Sequence, residues 1–214
     1  MKKSIKKWGI IFLVPIMFIS FMAIWSWNIE SNRKLSKEYA NKLVCYPDGD
    51  YNSNIIDGMK NRLSSVPEKY LKVLYDKQVF IRTINGKITS DPEISTDPNK
   101  DTLDKYTGVF AGDSIIISVD KTYTYSVEIH EVGHAVDNIL FNDISDSNEF
   151  KDIFNREGPN FFNKVGQEHN LENSKEYFAE TFNYYYCNYD TRKYLKERAP
   201  QTYKFIKGLE KRRF

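Results

Sequence analysis

His130-Glu131-Val132-Gly133-His134 is the stretch on which the reading turns. A spacing of four puts both imidazoles on one face of a helix, one turn apart. Two neutral imidazole nitrogens so placed can hold one Zn²⁺ at ~2.0–2.1 Å. Glu131 leans to the side of that face, where it can take a proton from a water at the metal. Residues 124 to 141 keep a helical period, so the motif falls where a helix is predicted independently. The chain has only 3 His and two of them are here. A core helix with two satisfied histidines and no metal is therefore the weaker reading.

This is the arrangement of the zincin metalloproteases. A catalytic zinc needs a third protein ligand and a position left for water, whereas a structural zinc is closed by four. Asp137, three residues past His134, could support a ligand from the same helix. A later helix opening near Asn173 or Ser174 offers Glu176 and Glu180, four apart and on one face. Two acids among Tyr177, Phe178, Ala179 and Phe182 are costly to bury unless paired or bound to metal. As surface acids they would simply be solvated. His169 is the rival third ligand.

Outward from the motif, the chain has 214 residues, 41% apolar and 28% charged. That composition is globular and excludes collagen, coiled coil and a multispan membrane protein. The first 27 residues differ from the rest. Lys2, Lys3, Lys6 and Lys7 precede an uncharged run from Trp8 to Trp27, and no acid accompanies them. Such a run would make a helix of ~30 Å, the thickness of a bilayer core. The lysines place the N-terminus inside and the body outside. An uncleaved signal-anchor is the favoured reading, and a cleaved signal peptide is its competitor. Either one exports the body to the extracellular face of the membrane or beyond it. Of 31 basic residues four are the leading lysines, against 29 acids. The body is therefore slightly acidic, which argues against a nucleic-acid partner.

The expected organisation is residues 1–27 as anchor or signal, 28–45 as linker or helical stalk, and 46–214 as one domain. Ile55, Ile56, Met59 and Leu63 predict a helix near 54–64. Ser65 and Glu68 read as a capping box with Pro67 in the first turn. Gln78 to Thr83 reads as a strand, and Asn85-Gly86 as a tight hairpin turn. Thr107–Ala111 and Ser114–Val119 read as two strands about Gly112-Asp113. Helices follow at 124–141, at 147–156 with Asp146 and Glu149 at its start, from 173 or 174, and from Asp190 as a pair broken at Pro200, with a loop over 158–173. Cys45 and Cys187 could pair outside the membrane, or stay as buried thiols. The fold class is α+β, mostly helical, with a small β-sheet, preceded by one N-terminal hydrophobic helix.

Four stretches carry a resemblance: TGVFAGDSIIIS at 107–118, HEVGHAVDN at 130–138, KEYFAETF at 175–182 and APQTYKFIKG at 199–208. The chain resembles the anthrax-lethal-factor-like zinc metalloprotease family, which includes the lethal factor protease domain and the Pro-Pro endopeptidases. The likeness runs over roughly 46 to 210. The zinc helix is common to many protease families, and KEYFAETF at this distance makes the assignment specific. The resemblance implies His130, His134 and Glu176 as zinc ligands, Glu131 as general base, and Glu180 as a carboxylate oriented toward a ligating His. It also implies a zincin-like domain acting on peptide substrates. The family carries a Tyr seven residues before the third ligand, and position 169 here is His. Either His169 donates to the oxyanion in its place, or Tyr184 approaches from another direction.

The resulting expectation is a zinc-dependent endopeptidase, one ion per chain, acting on extracellular peptides or proteins. The strand near 114–118 could pair with an extended substrate; otherwise it is a core strand, since Ile115, Ile116 and Ile117 are all apolar. The alternative function is a zinc-binding peptide-recognition module with weak or no catalysis. A third is a metal-free structural domain on an anchor.

Overall fold

The computed structural model describes residues 30–97, 100–103, 105–119 and 126–213. The apolar run 8–27, and the hydrophobic helix expected on it, lie outside these residues. Among the described residues no helix is long and apolar enough to cross a membrane.

Residues 30–43 are helical (α1). This is not a free-standing stalk, because Ser36, Ala40 and Leu43 are buried on one stripe. The next two residues form β1 (Val44–Cys45), so the segment feeds directly into the sheet. Helices α2 (Ser53–Leu63) and α3 (Glu68–Asp76) follow where helical spacing placed them. The capping box does not form. The Ser65 hydroxyl donates to the Arg62 carbonyl, and Pro67 caps α3 without a side-chain bond.

The sheet has four strands in the order β1-β2-β4-β3, with β2 at Ile81–Ile84, β3 at Gly108–Phe110 and β4 at Ile115–Ser118. β1, β2 and β4 are parallel, and β3 runs antiparallel to β4. The hairpin expected at Asn85-Gly86 is absent. Asn85 instead donates its amide to the carbonyls of Asp48 and Asp50, and the chain crosses over through 3-10 turns before re-entering the sheet. The hairpin that does form turns at Gly112, whose φ of +89° suits a residue without Cβ. β4 lies between β2 and β3 with both backbone edges paired. Ile115 and Ile117 face the main core, while Ile116 packs with Ile88 and Ile94 on the other side. Cover on both faces explains three consecutive isoleucines.

Helix α5 (Val127–Ala135) continues without a break into a π-helical segment, Val136–Leu140. α6 spans Asn148–Phe161, capped by Ser147 rather than Asp146. It runs past Pro159, so the loop expected from 158 begins later. α7 (Ser174–Cys187) starts at Asn173, whose side chain accepts from the backbone N–H groups of Lys175 and Glu176. α8 (Tyr189–Arg198) and α9 (Pro200–Leu209) close the chain. Buried Glu157 on α6 accepts from the Gln201 and Thr202 amides at the N-terminus of α9, where helix-end dipoles favour a carboxylate. α5 and α7 pack face to face and share the core through Ile129, Val132, Phe178 and Phe182. Cys45 and Cys187 are both free thiols, so the possible disulfide does not form.

Candidate active site

The spacing of α5 does what a helical turn requires. His130 and His134 present their Nε2 atoms to each other at 3.2 Å. Whether a third ligand reaches them depends on how closely α7 can approach. Gly133 permits that approach: a Cβ there would lie 3.0 Å from Ala179 Cα and 3.2 Å from its carbonyl oxygen. The two small residues let the helix backbones nearly touch. Glu176 Oε2 then lies 3.3 Å from His130 Nε2 and 3.4 Å from His134 Nε2.

These three atoms form a nearly equilateral triangle. Ligands at ~2.0–2.1 Å around a tetrahedral ion are separated by about 3.3 Å, so the donor set fits a zinc-sized ion. A second observation agrees. Glu176 Oε2 is buried and makes no well-directed hydrogen bond, a costly state that an ion would relieve. His130, His134 and Glu176 are the group among the described residues able to hold a metal. Glu180 takes the other nitrogen: its Oε2 accepts from His130 Nδ1 at 2.9 Å. That bond fixes the tautomer and leaves Nε2 for the metal side. Asp137 does not share this task. Its carboxylate accepts from the Ser145 backbone N–H at 2.8 Å and is also bound by the Ser145 hydroxyl, which ties the π-helical segment to the turn after it.

Glu131 sits beside the triangle, buried under the β3 edge. Gly108 makes the contact possible, since a Cβ there would fall 2.4 Å from Val127 Cγ1 and 2.8 Å from Glu131 Oε1. The Phe110 backbone N–H donates to the Glu131 carboxylate. Burial pushes Glu131 above the usual carboxylate range; the imidazoles of His130 and His134 oppose that, and Glu176 adds to it. For Glu176 burial acts upward too, but the three imidazoles around it outweigh burial and hold it far below its ordinary value. Burial pulls His130 downward, but its bonds to Glu176 and Glu180 and the charge of Glu131 outweigh burial and raise it.

His169 is brought to the site, but not into the triangle. Its Nε2 lies 3.0 Å from Glu176 Oε2, and its Nδ1 lies 3.0 Å from Glu172 Oε1. Its ring rests against Tyr106 at 5.1 Å. Tyr184 packs on Phe161, Phe162 and Tyr194 instead, and it is not among the described residues lining the cleft. That cleft has a volume of about 430 Å³ and is open to solvent between β3, α5 and the start of α7. Sequence reasoning missed several of its walls: Tyr106, Asn138, Asp143 and Lys175. Asn142 and Asp143 have left-handed backbones, φ 53° and 57°, and Lys175 pairs with Asp143 at 3.0 Å. No periodic signal marks such a turn.

β3, not β4, is the strand exposed to the cleft. With Val109 opposite Ile116, the backbone groups of Gly108 and Phe110 point away from β4. The suggestion that 114–118 meets a substrate is therefore corrected: that strand is a core strand.

A model of the family described as anthrax toxin lethal factor, N- and C-terminal domain, matches residues 28–209. A Pro-Pro endopeptidase of Clostridioides difficile (strain 630) is 31% identical over 219 aligned positions, covering 94% of this chain and 97% of the relative. A Pro-Pro endopeptidase of Paenibacillus alvei is 33% identical, covering 78% of this chain and 83% of the relative. The solved structure of the Pro-Pro endopeptidase PPEP-2 from Paenibacillus alvei superposes with a TM-score of 0.69 at 32% identity, covering 80% of this chain and 99% of that one. With the fold, the donor triangle and these likenesses in agreement, the chain belongs to the anthrax toxin lethal factor family.

Proposed function

We propose that the protein is a zinc endopeptidase acting on peptides or proteins outside the cell membrane. One observation carries the reading: His130, His134 and Glu176 converge in an open cleft with Glu131 alongside. A zinc ion held by His130, His134 and Glu176 would supply a Lewis acid for the scissile carbonyl and would lower the pKa of the attacking water. Glu131, beside the triangle, would take the proton from that water and return it to the leaving amine. The outward edge of β3, apart from the Phe110 N–H that Glu131 takes, aligns an extended substrate by backbone hydrogen bonds. His169 keeps Nδ1 beside Glu172 at 3.0 Å; with Glu176 committed to the metal, its Nε2–H would be released from that carboxylate to donate toward the oxyanion from the position of the family Tyr. Proline-containing peptides are the first substrates to test, because both relatives are named Pro-Pro endopeptidases.

The test is cleavage of a proline-containing peptide library by the zinc-loaded chain. Glu131→Gln should lower kcat by about 10²–10⁴-fold with zinc content unchanged. Tight peptide binding without turnover by the unmutated chain would instead establish a recognition module.

The exported location rests on the four leading lysines and the run 8–27. Cell fractionation should recover the protein in the membrane fraction, its body open to external protease. Recovery in the cytoplasm would reject export, and recovery in the medium with a new N-terminus near residue 28 would mean a cleaved signal.

A further inference from the structure

We propose that Asn183 and Ser126 are positioning residues of the metal site, holding Glu180 against His130. The inference rests on the metal-site reading above. α5 and α7 meet antiparallel, and their facing side chains form rungs. Glu176 stands opposite His134, and Glu180 opposite His130. The next rung is Asn183 opposite Ser126: the Ser126 hydroxyl donates to Asn183 Oδ1, and Asn183 Nδ2 donates to Glu180 Oε2 at 3.4 Å.

The chemistry allows one orientation of this amide. An ionised Glu180 only accepts, so it must face the NH₂ group, and Oδ1 is left for the hydroxyl. Glu180 Oε2 thereby receives two donors, His130 Nδ1 and Asn183 Nδ2. Its side chain is 20% exposed, and the Asn183 bond restricts its rotation away from the imidazole.

Ser126 makes the case stronger. It occupies the N-cap position of α5 yet forms no cap bond with the helix amides. Such a cap ordinarily stabilises a helix by about 1 kcal/mol. Here the hydroxyl goes to Asn183 instead, and both residues are buried, at 6% and 8% exposure. A buried amide and hydroxyl that satisfy only each other would have no need to reach Glu180. This pair extends to the carboxylate that orients a ligand.

The experiment is zinc affinity by competition with a chelator, read beside the thermal midpoint of the metal-free protein. Asn183→Ala should weaken zinc binding about 10- to 100-fold, the usual effect of losing an outer partner. Ser126→Ala should weaken it less, and Ser126→Thr should restore it. Asn183→Ala and Ser126→Ala, which each strand a buried polar partner, should also lower the metal-free midpoint by a few degrees, whereas Ser126→Thr should leave it near the parent. In a Glu180→Ala background, Asn183→Ala should add no further loss, because its effect passes through Glu180. Parent-like zinc affinity in Asn183→Ala overturns the proposal, and so does a full additional loss without Glu180. If the parent chain itself binds no zinc, the metal-site reading fails along with this one; if the parent binds and Asn183→Ala binds equally, this one fails alone.

Discussion

At the scale of single residues, Gly133 shows how a local cost serves the site. Glycine inside a helix is about 1 kcal/mol worse than alanine, so propensity alone favours Gly133→Ala. The added Cβ would press on Ala179 backbone atoms at 3.0 and 3.2 Å, and backbone cannot turn aside as a side chain can. Overpacking of this kind costs about 1–3 kcal/mol, more than the propensity gain. Gly133→Ala should therefore lower Tm by a few degrees and weaken zinc binding as Glu176 is pushed away. Calorimetry and chelator competition check it, and a variant as stable and as tight as the parent would show that helix spacing does not set the site. His130, Glu131 and His134 were legible because a helical turn alone fixes their relation. Glu180 and Glu176 were legible as acids stranded among aromatics. Asn183 lies on the same stripe, yet a neutral polar residue at helical spacing reads equally as a solvated face. Its meaning depends on Ser126, 57 residues earlier.

At the scale of elements, helices were easier to read than strand partners. α2, α3, α5 and α7 carry apolar stripes of local origin, so their existence follows from period alone. Strand pairing is not local. Asn85-Gly86 has the composition of a hairpin turn, but a hairpin also needs a strand directly after it, and Ile88–Ser90 curls into a 3-10 turn. β2 is therefore left to pair in parallel with β4, at Ile81 opposite Ile115. The same limit hid the edge. Three isoleucines mark β4 as a strand, and only the sheet order reveals that β3 meets the cleft. The helix expected within 28–45 is present as α1, but its packing was not legible. Its buried stripe uses Ser36 and Ala40, small residues that a search for large apolar positions passes over, although they allow close packing.

At the scale of the whole molecule, the body is held by an aromatic core that also makes it sensitive to alkali. Tyr70, Phe182 and Tyr186 pack with centroids 4.6 to 6.4 Å apart, and Tyr177 joins Phe150 and Phe162. Burial is the first cause that raises the phenols of Tyr70, Tyr177, Tyr185 and Tyr186 above their ordinary value of 10. The Glu210 carboxylate, which accepts from Tyr186 at 3.1 Å, adds to the effect on Tyr186 because a phenolate would face its charge. In the unfolded chain these four groups lose their protons near pH 10, whereas in the fold they keep them. Their contribution is thus fully present below pH 10 and is lost as the pH rises above it. Four protons released together give a slope of up to about 5 kcal/mol per pH unit. Against a typical total of about 5–15 kcal/mol, cooperative unfolding should occur near pH 11–12. Phenolate absorbance and far-ultraviolet circular dichroism, followed together, provide the check. The buried four should titrate in step with the loss of helix. If every phenol ionised near pH 10 in a protein that stayed folded, the aromatic core could not be as closed to water as this packing requires.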